Sequence, residues 1–129
     1  MNAMKYAPLG ARLILGLNFT VFGLNGFFQF IPMPPMEGPP ADFMGALGAT
    51  GYFFPLLKTT ETTVGLALLS GFFVPLALVV LAPITINILA FHTFLAPDGL
   101  PLAIAIVTLQ IFLASSNRGS YRSVLAMRA

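Results

Sequence analysis

Apolar residues fall into four long blocks, over residues 8–31, 55–73, 75–95 and 100–114, separated by short polar or proline-rich stretches. At about 1.5 Å rise per residue, some 20 apolar residues cross a hydrocarbon core of about 30 Å, so each block predicts a transmembrane helix. The fourth is only roughly 22 Å long and needs thinned bilayer or an earlier start. Between the first two blocks, residues 31–40 hold five prolines, which forbid helix. A short interfacial helix over 41–49 follows, with Phe43, Met44 and Leu47 on one face. Gly48, Thr50 and Gly51 end it, and Tyr52, Phe53 and Phe54 suit an aromatic belt. The turn at 70–75 is tight enough to make the second and third spans a hairpin. Pro83 predicts a kink in the third span, and 96–99 reads as a turn.

Composition supports this reading. The chain of 129 residues is 57% hydrophobic and only 8% charged. A soluble domain of this size has no interior large enough for so much apolar surface. A basic start before apolar sequence also suits a signal peptide. Against it, the run is too long and no small-x-small site follows. A net charge of +2 with few, terminal basic residues is no nucleic-acid signal. Without cysteine the chain has no disulfide framework or thiol chemistry of its own. Lys5, Arg12, Arg118, Arg122 and Arg128 flank the outer blocks, whereas the loops after spans one and three hold only Glu37, Asp42 and Asp98. The positive-inside rule then places both termini in the cytoplasm. The expected fold is an all-α, four-transmembrane-helix bundle, N-in and C-in, in one domain.

Polar residues inside the blocks carry the candidate chemistry. Lys58 and Glu61 sit three apart in the second span. A charge near mid-bilayer costs about 2.5–3.5 kcal/mol on insertion scales and calls for a partner, a wet cavity or a function. In the first span Asn18, Phe22, Asn25 and Gln29 share one helical face, and Gly16, Gly23 and Gly26 permit close helix approach. The third span ends with Asn87 and His92, and the fourth holds Gln110. Counted in from the outer end of each span, these groups lie at roughly similar depths of 6–15 Å. That co-location predicts an outward-facing pocket lined by Asn25, Gln29, Lys58, Glu61, Asn87 and His92. Glu61 and His92 would handle protons. Asn25 and Asn87 would orient a ligand, and Lys58 would balance charge. The same groups also suit a purely structural role, with Lys58 and Glu61 neutralising each other along the helix. Thr59, Thr60, Thr62 and Thr63 are expected to bond back to their own helix. One histidine without cysteine makes no zinc site. Met33 and Met36 with His92 are soft enough for copper but read more simply as loop residues. No nucleophile–base set or phosphate loop is present.

Five segments together resemble the DoxX family of small bacterial membrane proteins. They are Arg12-Leu-Ile-Leu-Gly16, Phe22-Gly-Leu-Asn-Gly26, Pro55-x-x-Lys58-x-x-Glu61-x-x-x-Gly65, Phe73-Val-Pro75-Leu-Ala77 and Asn87-x-x-x-Phe91-His92. The likeness covers roughly residues 10–114 and rests on order and spacing. It implies a four-helix bundle in the bacterial inner membrane, with Glu61 at the family's hallmark position. The family's short turn often has a basic residue after glycine, where this chain has Phe72 after Gly71. The likeness also implies a link to quinone-coupled redox systems. The leading expectation is an accessory subunit with a lipophilic-ligand pocket, quinone being the candidate cofactor and a redox enzyme or other membrane subunit the candidate partner. The alternative is a non-enzymatic scaffold or assembly protein whose polar cluster stabilises the bundle. Transport is weaker, since four spans are few and no inverted repeat is evident. The pattern leaves ligand and oligomeric state open, including a homo-oligomer.

Overall fold

A computed structural model gives the structure of the chain and describes residues 3–127; Arg128, one of the orienting basic residues, lies outside them. Five α-helices follow in order: α1 (Ala7–Phe28), α2 (Pro39–Ala49), α3 (Phe53–Ser70), α4 (Val74–Phe94) and α5 (Leu100–Ser116). Single 3-10 turns precede α1, join α4 to α5 at Pro97–Gly99, and follow α5 at Arg118–Tyr121. No strand occurs among the described residues. The first expected block ends three residues early, because Gln29 takes a left-handed conformation and caps α1. The last helical segment starts earlier than its apolar block and runs from Pro97 to Ser116, which removes the predicted shortfall in length. The short helix starts at Pro39 rather than 41, since proline is well suited to a first helical turn. The helix α4 runs continuously through Pro83.

Three segments are long and apolar enough to cross a membrane: Met4–Phe28, Val74–Phe94 and Pro97–Ser116. Missing from that set is α3, in which a lysine, a glutamate and four threonines dilute the apolar residues. The helices α1, α3, α4 and α5 form a ring of neighbours, each packed against the next and α5 returning to α1. Leu15, Leu68 and Leu81 fill its centre with no exposed surface, joined by Phe19, Val64, Leu78 and Leu113. Much apolar bulk faces outward instead, with Ile14, Leu17, Ile86 and Leu102 each more than half exposed. That distribution suits a lipid surround.

Glycines set the closest helix contact. A methyl on Gly23 would strike the Thr62 backbone and hydroxyl, and one on Gly65 would strike Thr20. A methyl on Gly16 would come within 3.0 Å of both the Leu69 amide nitrogen and the Gly65 carbonyl. The two helices therefore run antiparallel with their backbones touching, as small residues allow in lipid. The helix α3 ends at Gly71, whose φ of 84° makes a left-handed cap. Phe73, with φ 58°, starts α4 after a turn of three residues.

Candidate functional site

The α1/α3 seam carries the one ion pair among the described residues. Lys58 Nζ lies 3.1 Å from Glu61 Oε2, with side-chain exposures of 24% and 7%. The lysine stem lies across Gly26, where any side chain would collide with it. The small residues of α1 thus make room for the charged pair of α3, and the carboxylate is buried between helices. The hydroxyls of Thr59, Thr60, Thr62 and Thr63 donate to the carbonyls of Pro55, Leu56, Lys58 and Thr59 at 2.7–2.8 Å. This is the expected back-bonding, and it covers the polar groups of α3 without any partner helix.

The other expected pocket residues are not brought to this pair. Asn25 is buried, but both its polar atoms serve the backbone of Ile31: Oδ1 accepts from the amide at 2.7 Å and Nδ2 donates to the carbonyl at 3.1 Å. It thereby clamps the chain as it reverses through left-handed Gln29, so its role is to close the end of α1. Gln29 itself is exposed. Asn87 is also exposed, and its amide donates to the Pro83 carbonyl at 2.9 Å on its own helix. His92 is half-buried, with Nδ1 3.1 Å from the Ala96 carbonyl and the ring edge-on to Phe91 at 5.2 Å. Gly99 lacks the side chain that would collide with this ring. No hydrogen bond or ion pair joins Glu61 to His92 among the described residues.

The physical reason is helix register. Counting depth from each helix's own outer end assumes that those ends are level. Reflected through the turn at Gly71–Phe73, Glu61 lies near the level of Pro83. His92 then sits nine residues, roughly 13 Å, further along, at about 1.5 Å per residue. The helix α4 has 21 residues against 18 in α3, so its far end passes the start of α3, and α2 meets that end of α4 through Phe43 and Phe91, ring centroids 5.7 Å apart. A polar residue outside the expected pocket does lie deep in the bundle. Gln110 on α5 is buried and donates from Nε2 to the Leu78 carbonyl of α4 at 3.1 Å, while its Oε1 has no partner. Its place ten residues into an apolar block was its sequence signal.

Two cavities lie elsewhere. One, of about 400 Å³, opens at the opposite end of the bundle from Lys58, among Leu9, Arg12, Gly71, Phe73, Leu113 and Asn117. The other, of about 340 Å³, is an apolar groove between α3 and α4 bordered by Thr60, Thr63, Ala67, Phe73, Ala77 and Val80. No family model, curated protein or solved structure matches the chain.

Proposed function

We propose that this chain is a DoxX-like protein of the bacterial inner membrane, spanning it four times with both termini cytoplasmic, and that it serves as a non-enzymatic scaffold or assembly subunit. One observation carries the reading: the buried polar groups marked by the sequence are occupied by their own chain. Glu61 is held by Lys58 and Asn25 by Ile31, and Nδ1 of His92 lies against Ala96. The fourth span is α3, whose 18 residues reach roughly 27 Å. Its low hydropathy fits a helix that turns its charges toward α1. The helix α2 lies at the outer interface. Orientation rests on Lys5, Arg12, Arg118 and Arg122 at one end against Glu37, Asp42 and Asp98 at the other.

A second reading, an accessory subunit that binds a quinone beside the pair for a redox partner, has one specific support. The lysine ammonium has three donors, one is used on Glu61, and the side chain is 24% exposed. A quinone carbonyl would accept from the remaining donors. Replacing Lys58 and Glu61 together by leucine separates the two. On the scaffold reading the double variant folds and melts within about 1 kcal/mol of the parent in mild detergent, because apolar substitutes for buried ion pairs are often neutral or stabilising. Native mass spectrometry and absorbance then show the same bound species in both. Stoichiometric quinone in the parent, absent from a folded double variant, would overturn the scaffold reading.

A further inference from the structure

The cavity at the Arg12 end is built differently from the Lys58 site. Arg12 lies about one and a half turns into α1, at roughly 1.5 Å per residue some 20 Å from Gly26. Among the described residues it has no carboxylate partner, and its Nε is buried without an acceptor there. A methyl on Gly71 would meet the guanidinium at 2.8 Å, so the glycine of the α3–α4 turn leaves the space that Arg12 occupies. The described acidic residues cannot answer this charge: Glu61 is taken by Lys58, and Glu37, Asp42 and Asp98 lie in or beside the loops at the far end. Arg118 and Arg122 follow Asn117 of the cavity wall, adding positive charge to the same end. Tyr121 donates to the Pro75 carbonyl at 2.9 Å and holds that basic segment against the start of α4. Burial pushes its phenol above the ordinary value.

Phe73 connects this cavity with a second feature. Its φ of 58° is a conformation that suits glycine or asparagine and is an outlier for a bulky residue. The residue is nonetheless 74% exposed and borders both the Arg12 cavity and the apolar groove between α3 and α4. A cavity that holds one arginine thus adjoins an apolar furrow along Ala77 and Val80, with one aromatic ring at the junction. A single-chain apolar ligand leaves Arg12 unanswered, and a free anion leaves the furrow empty. An amphiphile with an anionic phosphate head satisfies both.

We infer that this end of the bundle holds one anionic phospholipid. Its phosphate is bound by Arg12 at the head of α4, and an acyl chain lies along the α3/α4 groove past Phe73. The inference rests on the membrane-spanning reading but not on the scaffold role. Arginine suits the head because its planar fork of donors matches phosphate oxygens. The positive end of α4, which has no side-chain cap, adds to the attraction.

The test is native mass spectrometry of the full chain in mild detergent, titrated in parallel with phosphatidylglycerol and phosphatidylcholine of matched acyl chains. The parent is expected to retain one phosphatidylglycerol, with about fivefold preference over phosphatidylcholine from the single arginine. Arg12→Gln removes the preference, and Arg12→Lys retains part of it, which covers the case in which Arg12→Gln fails to fold. Glu37→Gln at the far end changes nothing. Phe73→Gly relieves the backbone, so its melting temperature is unchanged or higher while lipid retention falls. Equal retention of the two lipids by the parent, or the same preference in a folded Arg12→Gln, overturns the inference. So does thermal protection by inorganic phosphate equal to that by phosphatidylglycerol. Retention of neither lipid by a chain that stays dispersed without detergent overturns the membrane reading as well.

Discussion

The two interfaces of α3 were made in opposite ways. Against α1, which is separated from it by a proline-rich loop and a whole helix, α3 packs backbone to backbone over Gly16, Gly23 and Gly65. Against α4, its immediate successor across a three-residue turn, it packs less extensively and leaves a groove of about 340 Å³. Closeness along the chain therefore does not decide closeness in space. Side-chain size differs between them: glycines of α1 face glycine, threonine and the lysine stem on α3, whereas α4 has no glycine and borders the groove with Leu76, Ala77 and Val80. In lipid, where apolar surface alone drives no association, the close seam supplies the packing that holds a bundle together.

The sharpest way to break this contrast is to fill the seam. Gly23→Leu puts four carbons where the backbone and hydroxyl of Thr62 already stand. Overpacking a close interface costs about 1–3 kcal/mol or more, and the rigid backbone on the far side puts this site at the upper end. The expected outcome is loss of the sharp thermal transition by circular dichroism in detergent. A Gly23→Leu protein that melts like the parent would mean that the backbones are not in contact, and the contrast between the interfaces would vanish.

Next in size are the two single replacements of the charged pair, which sits at the end of the same seam away from Arg12. Removing one partner of a buried pair leaves the other uncompensated, at a cost of about 3–5 kcal/mol when both are fully buried. The two partners differ here. Lys58→Leu strands a carboxylate that is 7% exposed, whereas Glu61→Leu strands an ammonium that is 24% exposed on a flexible stem. A lysine of that kind swings its head toward water along its apolar stem, so the effect should be unequal. We expect Lys58→Leu to lose about 2–3 kcal/mol and Glu61→Leu about 1 kcal/mol, both discounted from the buried limit for partial exposure. Equal losses in chemical unfolding of the two variants would show that the lysine is as enclosed as the glutamate.

Much of this architecture was legible in the chain, and the failures share a cause. Helix positions followed from apolar block length, and the glycines of α1 were recognisable as small surfaces for helix approach. The threonines bond back to α3 as their spacing implied. Lys58 and Glu61 met because a separation of three residues on a helix needs no tertiary information. The predicted six-residue pocket required the relative register of separate helices, which no local pattern encodes. Glu61 lies midway along α3 whereas His92 lies near the far end of α4, nine residues beyond the level of Glu61, which carries it out of reach. Asn25 was misread for a related reason: its partner, Ile31, became available only because Gln29 reverses the chain. Arg12 looked like one more cytoplasmic anchor, and only the tertiary structure reveals that it borders a cavity with its Nε unpaired and no carboxylate beside it among the described residues.

The smallest expected effect lies on the open side of α3. Thr63 is exposed, borders the α3/α4 groove and spends its hydroxyl on the Thr59 carbonyl at 2.8 Å. Thr63→Val removes that bond while keeping the branched shape. The freed carbonyl keeps its place in the helix ladder, since the hydroxyl was a second donor to it. Nothing across the groove is compressed, because the groove is empty of protein. Stability should change by less than about 0.5 kcal/mol, as for surface sites away from special features. The same chemistry at Thr62 lies against Gly23, so Thr62→Val replaces a packed hydroxyl by a methyl in the seam and should be the more costly of the two. Measuring both by reversible unfolding in mixed micelles compares the two faces of α3 one residue apart. A Thr63 variant that loses as much as the Thr62 variant would place a close neighbour over the groove, and α3 would then be enclosed on both sides.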